Sequence, residues 1–229
     1  MTQALVKKFF DQGSIYDKVL VHNYMYHDDI YREVQHFIRR HYADRPFALF
    51  DLGCGSALHL AHALENSPIC RYRGDDLSDL ALAQAARNLA GLGCPLELHQ
   101  GDLLEGLRVS REPFDLIFSS FALHHFVSSD KTLFFQLAYQ RLNENGRLLL
   151  IDVMREEEEE RALYLARYCG WLRSAWQALP PDEQDALCEP IENNDFPETA
   201  STLAAMATAA GFDRGWEMNR FRWHHTLCF

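Results

Sequence analysis

The sequence lacks several features that mark large classes of proteins. No stretch is long and uncharged enough to span a membrane, and the first residues lack the apolar core of a signal peptide. The six cysteines form no C-x-x-C pair, which excludes the common zinc and disulfide frameworks and predicts reduced thiols. Positive charge is scarce, and the net charge of −11 argues against nucleic acid as a partner. We expect a cytoplasmic protein without a membrane segment, and its oligomeric state stays open.

No internal repeat or flexible linker divides the chain. Its 229 residues suit one α/β domain with additional helices, and fifteen phenylalanines are ample for a packed core. The most informative segment is residues 47–56, where a short apolar run ends at Asp51 and is followed by Gly53-Cys54-Gly55. This order predicts a strand, a glycine turn and a helix, as in nucleotide-binding α/β units.

A dinucleotide-binding fingerprint is incomplete at this turn. Leu58 stands where that fingerprint has its third glycine, and the carboxylate of Asp51 would repel a pyrophosphate. A ligand with positive charge and no phosphate would not be repelled. The sequence therefore disfavours a nicotinamide cofactor.

Two further predicted strands also end in acidic residues. Residues 70–78 end in Asp75-Asp76-Leu77-Ser78, close to the spacing at which such folds place a ribose-binding carboxylate. Residues 96–103 end in Gly-Asp102-Leu103. A carboxylate can accept from two vicinal hydroxyls, but an acid or Ser78 at this point can also cap the following helix.

These segments resemble the motifs of class I S-adenosylmethionine-dependent methyltransferases of the small-molecule type. The match includes an acid and Gly-x-Gly at Asp51–Gly55, Gly-x-Asp-Leu-Ser ending at Ser78, and Leu-His-His at residues 123–125. The resemblance is strong over residues 45–153 and weak at both ends. It implies methyl transfer to a small organic acceptor through oxygen, nitrogen or sulfur. The alternatives are methylation of a protein or RNA, or a subunit that binds the cofactor without catalysis.

The resemblance implies a Rossmann-like α/β fold. We expect a seven-stranded, mostly parallel sheet with an antiparallel last strand and helices on both faces. The single domain would comprise an N-terminal helical flap (1–45), a cofactor-binding core (46–153), a helical cap insertion (154–195), and a last helix with a terminal hairpin (196–229).

The resemblance also assigns the cofactor, S-adenosyl-L-methionine, whose product is S-adenosyl-L-homocysteine. Asp76 would hold the ribose, Asp102 the adenine amine, and Tyr16 the methionine end of the cofactor. Asp152 follows the fifth predicted strand, but no companion motif for Mg²⁺ is visible, so we expect no metal. The implied cofactor-binding residues are Tyr16, Asp51, Gly53, Cys54, Gly55, Asp76, Leu77, Asp102, Leu103 and Ser119.

Two histidines stand where the acceptor would meet the cofactor. An imidazole of His124 or His125 could act as general base, with His125 preferred, or both could only shape the pocket. Tyr24 and His27 of the N-terminal flap are the candidates for contacts to the acceptor. His59 and His62 share one helix face, and we expect a structural role for them.

Three local expectations concern packing. The helix that starts near Asp28 should pack on the sheet edge, the glutamates 156–160 should form a solvated helix start, and residues 143–146 should end a helix as a C-cap and turn.

Overall fold

A seven-stranded sheet forms the centre of the molecule, in the order β3-β2-β1-β4-β5-β7-β6. The computed structural model describes residues 13–229, so the aromatic residues 9 and 10 of the predicted flap lie outside the described part. All neighbouring pairs from β3 to β5 are parallel, and β7 runs antiparallel to both β5 and β6. The predicted fold is confirmed. The strands are β1 (Phe47–Leu52), β2 (Ile69–Asp76), β3 (Leu96–Gln100), β4 (Phe114–Ser120), β5 (Leu142–Val153), β6 (Trp216–Phe221) and β7 (His224–Cys228).

Helices cover both faces of the sheet, and none of those described is long and apolar enough to cross a membrane. They are α1 (Gly13–Val21), α2 (His27–Tyr42), α3 (Leu58–Leu64), α4 (Asp79–Asn88), α5 (Leu103–Val109), α6 (Ser128–Arg141), α7 (Arg161–Ala175), α8 (Pro181–Asn194) and α9 (Ala200–Ala210). Single 3₁₀ turns lie at Ala90–Leu92 and Leu123–His125.

Every residue of β1 is buried, because alternate side chains enter two different cores. Phe47 and Leu49 pack in the core beneath α2, α3 and α4, whereas Phe50 and Leu52 pack beneath α5, α6 and α9. A parallel strand covered on both faces has no polar side, which explains its continuous apolar sequence.

Helix α2 lies over the sheet face, so the predicted packing at the sheet edge is wrong. Its apolar residues Ile30, Val34 and Ile38 share a core with Leu116 of β4 and Ile151 of β5, which are central strands. Burying a wide apolar stripe over central strands removes more surface from water than an edge position would. The first residue of α2, His27, thereby comes near the carboxyl ends of the strands.

Helix α1 packs against the insertion formed by α7 and α8. Val19 shares a small core with Cys169, Leu172 and Leu187, and Lys18 Nζ forms an ion pair with Glu183 at 2.6 Å. The two segments that precede and follow the central core in sequence therefore contact one another.

The expectation for the glutamates 156–160 holds only in part. Glu160 is the N-cap residue of α7, which begins at Arg161, and is exposed, but Glu159 is buried in an ion pair with Arg167 at 2.5 Å. Glu158 has a φ of 63°, which interrupts a helix. Residues 143–146 belong to β5 and not to a helix end, because the β4–β5 register shifts between Phe114 and Leu116 to accommodate the extra residues.

Candidate active site

A cavity of about 460 Å³ lies at the carboxyl ends of the parallel strands, where open α/β sheets bind ligands. The helices α1 and α2 contribute part of its wall. Most of the predicted site residues line it, namely Tyr16, His27, Asp51, Gly53, Cys54, Gly55, Asp76, Leu77, Asp102, Leu103 and His125.

The glycine turn after β1 is held by its own neighbours. The amide N–H groups of Gly53 and Cys54 donate to the Asp75 carbonyl at 2.9 and 3.1 Å, and the Gly55 N–H donates to Asp76 Oδ2 at 2.8 Å. Gly53 has a φ of 75°, and a Cβ there would come within 2.9 Å of Ala122 Cβ. The turn needs glycine for its conformation and close packing, and its amides are not free to cradle a phosphate.

Asp76 and Asp75 face different partners. Asp76 lines the cavity, and its Oδ1 accepts the Ser78 N–H at 2.8 Å. Asp75 is 2% exposed, and both its oxygens accept from the Arg73 guanidinium at 3.0 and 2.9 Å. Ser78 caps α4 through its hydroxyl, which accepts from Ala81 N–H at 3.2 Å. Both residues line the cavity, but the Asp75 carboxylate is already paired with Arg73, so Asp76 is the carboxylate of the two that is left for a ligand.

Asp51 is buried beside the glycine turn and accepts a hydrogen bond from the Tyr72 hydroxyl at 2.6 Å. Burial raises the pKa of Asp51 to about 7. The Tyr72 hydrogen bond partly opposes this shift, and the nearby charges of Asp76 and Asp75 add to it. Asp51 therefore titrates near neutral pH.

Tyr16 and Asp102 stand at two other parts of the wall. The Tyr16 phenol stays protonated, because burial and the nearby Asp76 carboxylate raise its pKa to about 12. Asp102 caps α5, its Oδ1 accepting from Leu104 N–H at 2.9 Å and Glu105 N–H at 3.3 Å. Both bonds use Oδ1, and no described residue bonds Oδ2.

His124 and His125 are each paired with a different aspartate. The Asp152 carboxylate bonds both the His124 backbone N–H, at 2.8 Å, and its Nδ1. His125 Nδ1 lies 3.1 Å from Asp195 Oδ1. Burial lowers the pKa of His124, but the carboxylates of Asp152 and Asp195 raise it by more, so the net shift is upward. Burial and the neighbouring His124 lower the pKa of His125. Near neutral pH, His125 is the uncharged imidazole.

Residues 49–146 match the family described as "Methyltransferase domain". The match covers less than half of the chain, so the sequence is similar to this family over its central strands. No curated protein sequence matches the chain significantly.

Solved structures share the fold of this chain. Human N-acetylserotonin methyltransferase in complex with SAM is 14% identical with a TM-score of 0.55, and the match covers 80% of this chain and 47% of that one. An O-methyltransferase family 2 protein from Planctomyces limnophilus, in complex with apigenin, is 21% identical, with coverage of 80% and 49% and a TM-score of 0.58. A possible exported protein from Bordetella parapertussis is 20% identical, with coverage of 87% and 66% and a TM-score of 0.64. The chain spans about half the length of the first two.

Three predicted site residues do not line the cavity. Ser119 is fully buried and donates to the Leu52 carbonyl at 3.0 Å, which ties β4 to β1. His124 lies behind His125, against Asp152. The Tyr24 ring stacks on Trp176 at 5.0 Å, and its hydroxyl accepts from Ala178 N–H at 2.8 Å. We therefore no longer consider these three as ligand contacts.

Several cavity residues were not predicted. Ser120 takes the place of Ser119, because successive strand side chains point to opposite faces. His59, expected to be structural, also lines the cavity. Asp195 lies 70 residues from His125, at the end of α8, and no local pattern marks it. His124, His125 and Asp195 also offer atoms within 4.8 Å of one another that are of metal-ligating types.

Proposed function

We propose that the methyltransferase domain binds S-adenosylmethionine and transfers its methyl group to a small organic acceptor. The observation that carries the proposal is the glycine turn, whose amides already bond Asp75 and Asp76 while carboxylates stand beside them. Such a turn rejects a pyrophosphate and favours a ligand with positive charge and free hydroxyls.

When bound, S-adenosylmethionine supplies a methyl group on an electrophilic sulfonium. The chain's own residues then have three tasks. Asp76 accepts hydrogen bonds from the ribose hydroxyls, Asp102 Oδ2 accepts from the adenine amine, and ionised Asp51 attracts the positive groups of the methionine end. Holding the reactants in line in a closed cavity accounts for much of such a reaction's acceleration.

His125 removes a proton where the acceptor carries one. Its Nδ1 is tied to Asp195, which fixes the ring and leaves Nε2 as the nitrogen that can take a proton. The cluster of His124, His125 and Asp195 acts in this proposal as hydrogen-bonded pairs without a metal, because Asp152 and Asp195 already satisfy the two imidazoles.

The shape and charge of the site favour a small acceptor over a macromolecule. A cavity of about 460 Å³ with a wall rich in aspartate is unlike the extended basic groove that RNA requires. All six cysteines are free, which agrees with the proposed cytoplasmic location. A subunit that binds the cofactor without catalysis differs from this proposal only in its lack of turnover.

S-Adenosylhomocysteine should raise the melting temperature, and NAD should not. At about a hundred times its dissociation constant, a ligand adds roughly 2.7 kcal/mol of stability, a shift of roughly 5 to 10 °C for a chain of this size. Differential scanning fluorimetry measures both ligands in parallel. A shift with NAD alone would reject the proposed cofactor. Incubation with methyl-labelled S-adenosylmethionine and a metabolite extract then separates an enzyme from a non-catalytic subunit.

Binding of S-adenosylmethionine should strengthen as the pH rises from about 6 to about 8. The pKa of Asp51 is raised to about 7, so its carboxylate becomes charged in this window and attracts the ligand's positive groups. Asp51→Asn should bind more weakly at about pH 8 and lose most of the rise. Isothermal titration calorimetry at several pH values measures this, and an equal rise in the variant would assign the effect to another group.

The same raised pKa has the opposite effect on the free protein. The folded state keeps the Asp51 proton up to about pH 7 while the unfolded chain releases it near its ordinary value, so this group's contribution to stability falls as pH rises. Urea titrations of the wild type and Asp51→Asn should therefore diverge between about pH 4 and pH 7.

A further inference from the structure

One wall of the cavity carries two buried imidazole nitrogens without a hydrogen-bond partner among the described residues. They are His27 Nδ1 and His59 Nε2, and both residues line the cavity. His27 is only 3% exposed. The hydroxyl of Ser120 lies on the same wall and bonds the Tyr31 side chain, which leaves it a free lone pair or proton. Buried polar atoms in folded proteins are nearly always paired, so the two nitrogens indicate groups that a ligand completes.

These atoms lie on the side of the cavity that faces away from the predicted adenine contact. Ser120 ends β4 and Asp102 follows β3, with β2 and β1 between them in the sheet. The His27 ring lies 5.2 Å from the ring of Phe121, which follows Ser120, and 5.1 Å from the His59 ring. His125 lines the same cavity. In the proposed arrangement this is where the methyl group leaves the cofactor and meets the acceptor.

The cavity wall has negative side chains but no positive ones among the described residues. No lysine or arginine of residues 13–229 lines it, and the aspartates that do are Asp17, Asp51, Asp75, Asp76, Asp102 and Asp130. The imidazoles add no positive charge near neutral pH. Burial lowers the pKa of His27 to about 3, with further lowering from His59 and His224, and burial also lowers that of His59. Apart from the cofactor's sulfonium, an anionic acceptor would lose its hydration here without gaining a cationic partner among the described side chains.

We propose that the acceptor is a small molecule without negative charge, whose polar group is hydrogen-bonded by His27, His59 and Ser120. A neutral imidazole nitrogen donates or accepts according to its tautomer, and a hydroxyl does both, so the three groups suit a hydroxyl, an amine or a neutral carbonyl. The aspartates of the wall disfavour carboxylated, phosphorylated and nucleotide-linked acceptors. This inference rests on the proposed methyl transfer, and it adds the class of acceptor.

The first test uses a metabolite extract passed over a quaternary-ammonium resin at about pH 8, with methyl-labelled S-adenosylmethionine as donor. The unretained fraction should yield as much labelled small product as the whole extract does. Acceptor activity found only in the salt eluate of the resin would overturn the inference and leave methyl transfer standing. No labelled product from the whole extract would count against the proposed methyl transfer itself.

The second test compares the same substitution at two positions of α3. His59→Phe removes the unpartnered nitrogen, whereas His62→Phe is a matched control, because the His62 side chain is 67% exposed and pairs with Glu65. Labelling from the unretained fraction should fall roughly tenfold or more in His59→Phe and stay unchanged in His62→Phe. His59→Phe should melt no lower than the wild type, because it removes an unpaired buried group.

S-Adenosylhomocysteine affinity separates the acceptor from the cofactor. This ligand keeps the methionine carboxylate, so its dissociation constant should be unchanged in His59→Phe and in Ser120→Ala. A tenfold weaker affinity in either variant would assign that residue to the cofactor's carboxylate and overturn the inference. Unchanged labelling in both variants would overturn it as well.

Discussion

His125→Asn should lower turnover by roughly 10²–10⁴ while the affinity for S-adenosylhomocysteine stays nearly unchanged. His125 lines the cavity, and its Nδ1 is held 3.1 Å from Asp195 Oδ1, so the substitution removes the proton acceptor and leaves the cofactor contacts intact. Single-turnover rates with labelled S-adenosylmethionine, together with calorimetry, measure the two quantities separately. If only the affinity for the acceptor fell, His125 would contact the acceptor without acting as a general base.

The pH profile gives an independent check of this role. A base must be unprotonated, and burial beside His124 holds the pKa of His125 below its ordinary value. The rate should therefore rise with pH through a group titrating below about 6.5 and level off above it. Asp195→Asn should move this rise to lower pH, because the Asp195 carboxylate stabilises the protonated ring. A chelator should leave turnover unchanged, and a chelator-sensitive rate would instead indicate a metal at His124, His125 and Asp195.

Asp76→Ala should weaken S-adenosylhomocysteine binding at least tenfold. A carboxylate that accepts from hydroxyls contributes about 1.5–3 kcal/mol through charge-assisted bonds. The variant also leaves the Gly55 and Ser78 amides without their acceptor, so some of the loss reflects a less ordered turn. Asp76→Asn is the matched variant, because it retains an oxygen for one amide and loses the charge. Calorimetry on both variants separates the charge from the turn.

Asp75→Ala should lower the stability of the protein and leave its affinity for S-adenosylhomocysteine nearly unchanged. It leaves the Arg73 guanidinium, 11% exposed, without its carboxylate, which lowers the free energy of unfolding by about 3–5 kcal/mol. The affinity of the folded protein should change little. If Asp75→Ala rather than Asp76→Ala abolished binding in folded protein, the assignment of the two aspartates would be reversed.

The sequence alone determined the sheet and the positions of three strand-end aspartates. Asp51 ends an apolar run too short for a helix, and Asp76 and Asp102 end short segments that are typical of strands. Such segments and the turns after them are local patterns. Parallel strands bring their carboxyl ends to one edge, so these aspartates had to lie on one side of the sheet once the fold was known.

Only the tertiary structure decided which groups surround the acceptor. Asp195 reaches His125 because the chain after α8 bonds back to the core, with Phe196 N–H donating to the His124 carbonyl at 2.7 Å and Arg161 Nε to the Asp195 carbonyl at 2.6 Å. His27 reaches the cavity because α2 covers the sheet face rather than its edge. Contacts of this kind join residues far apart in the chain through the packing of whole helices, and such packing leaves no periodic signal in a single sequence.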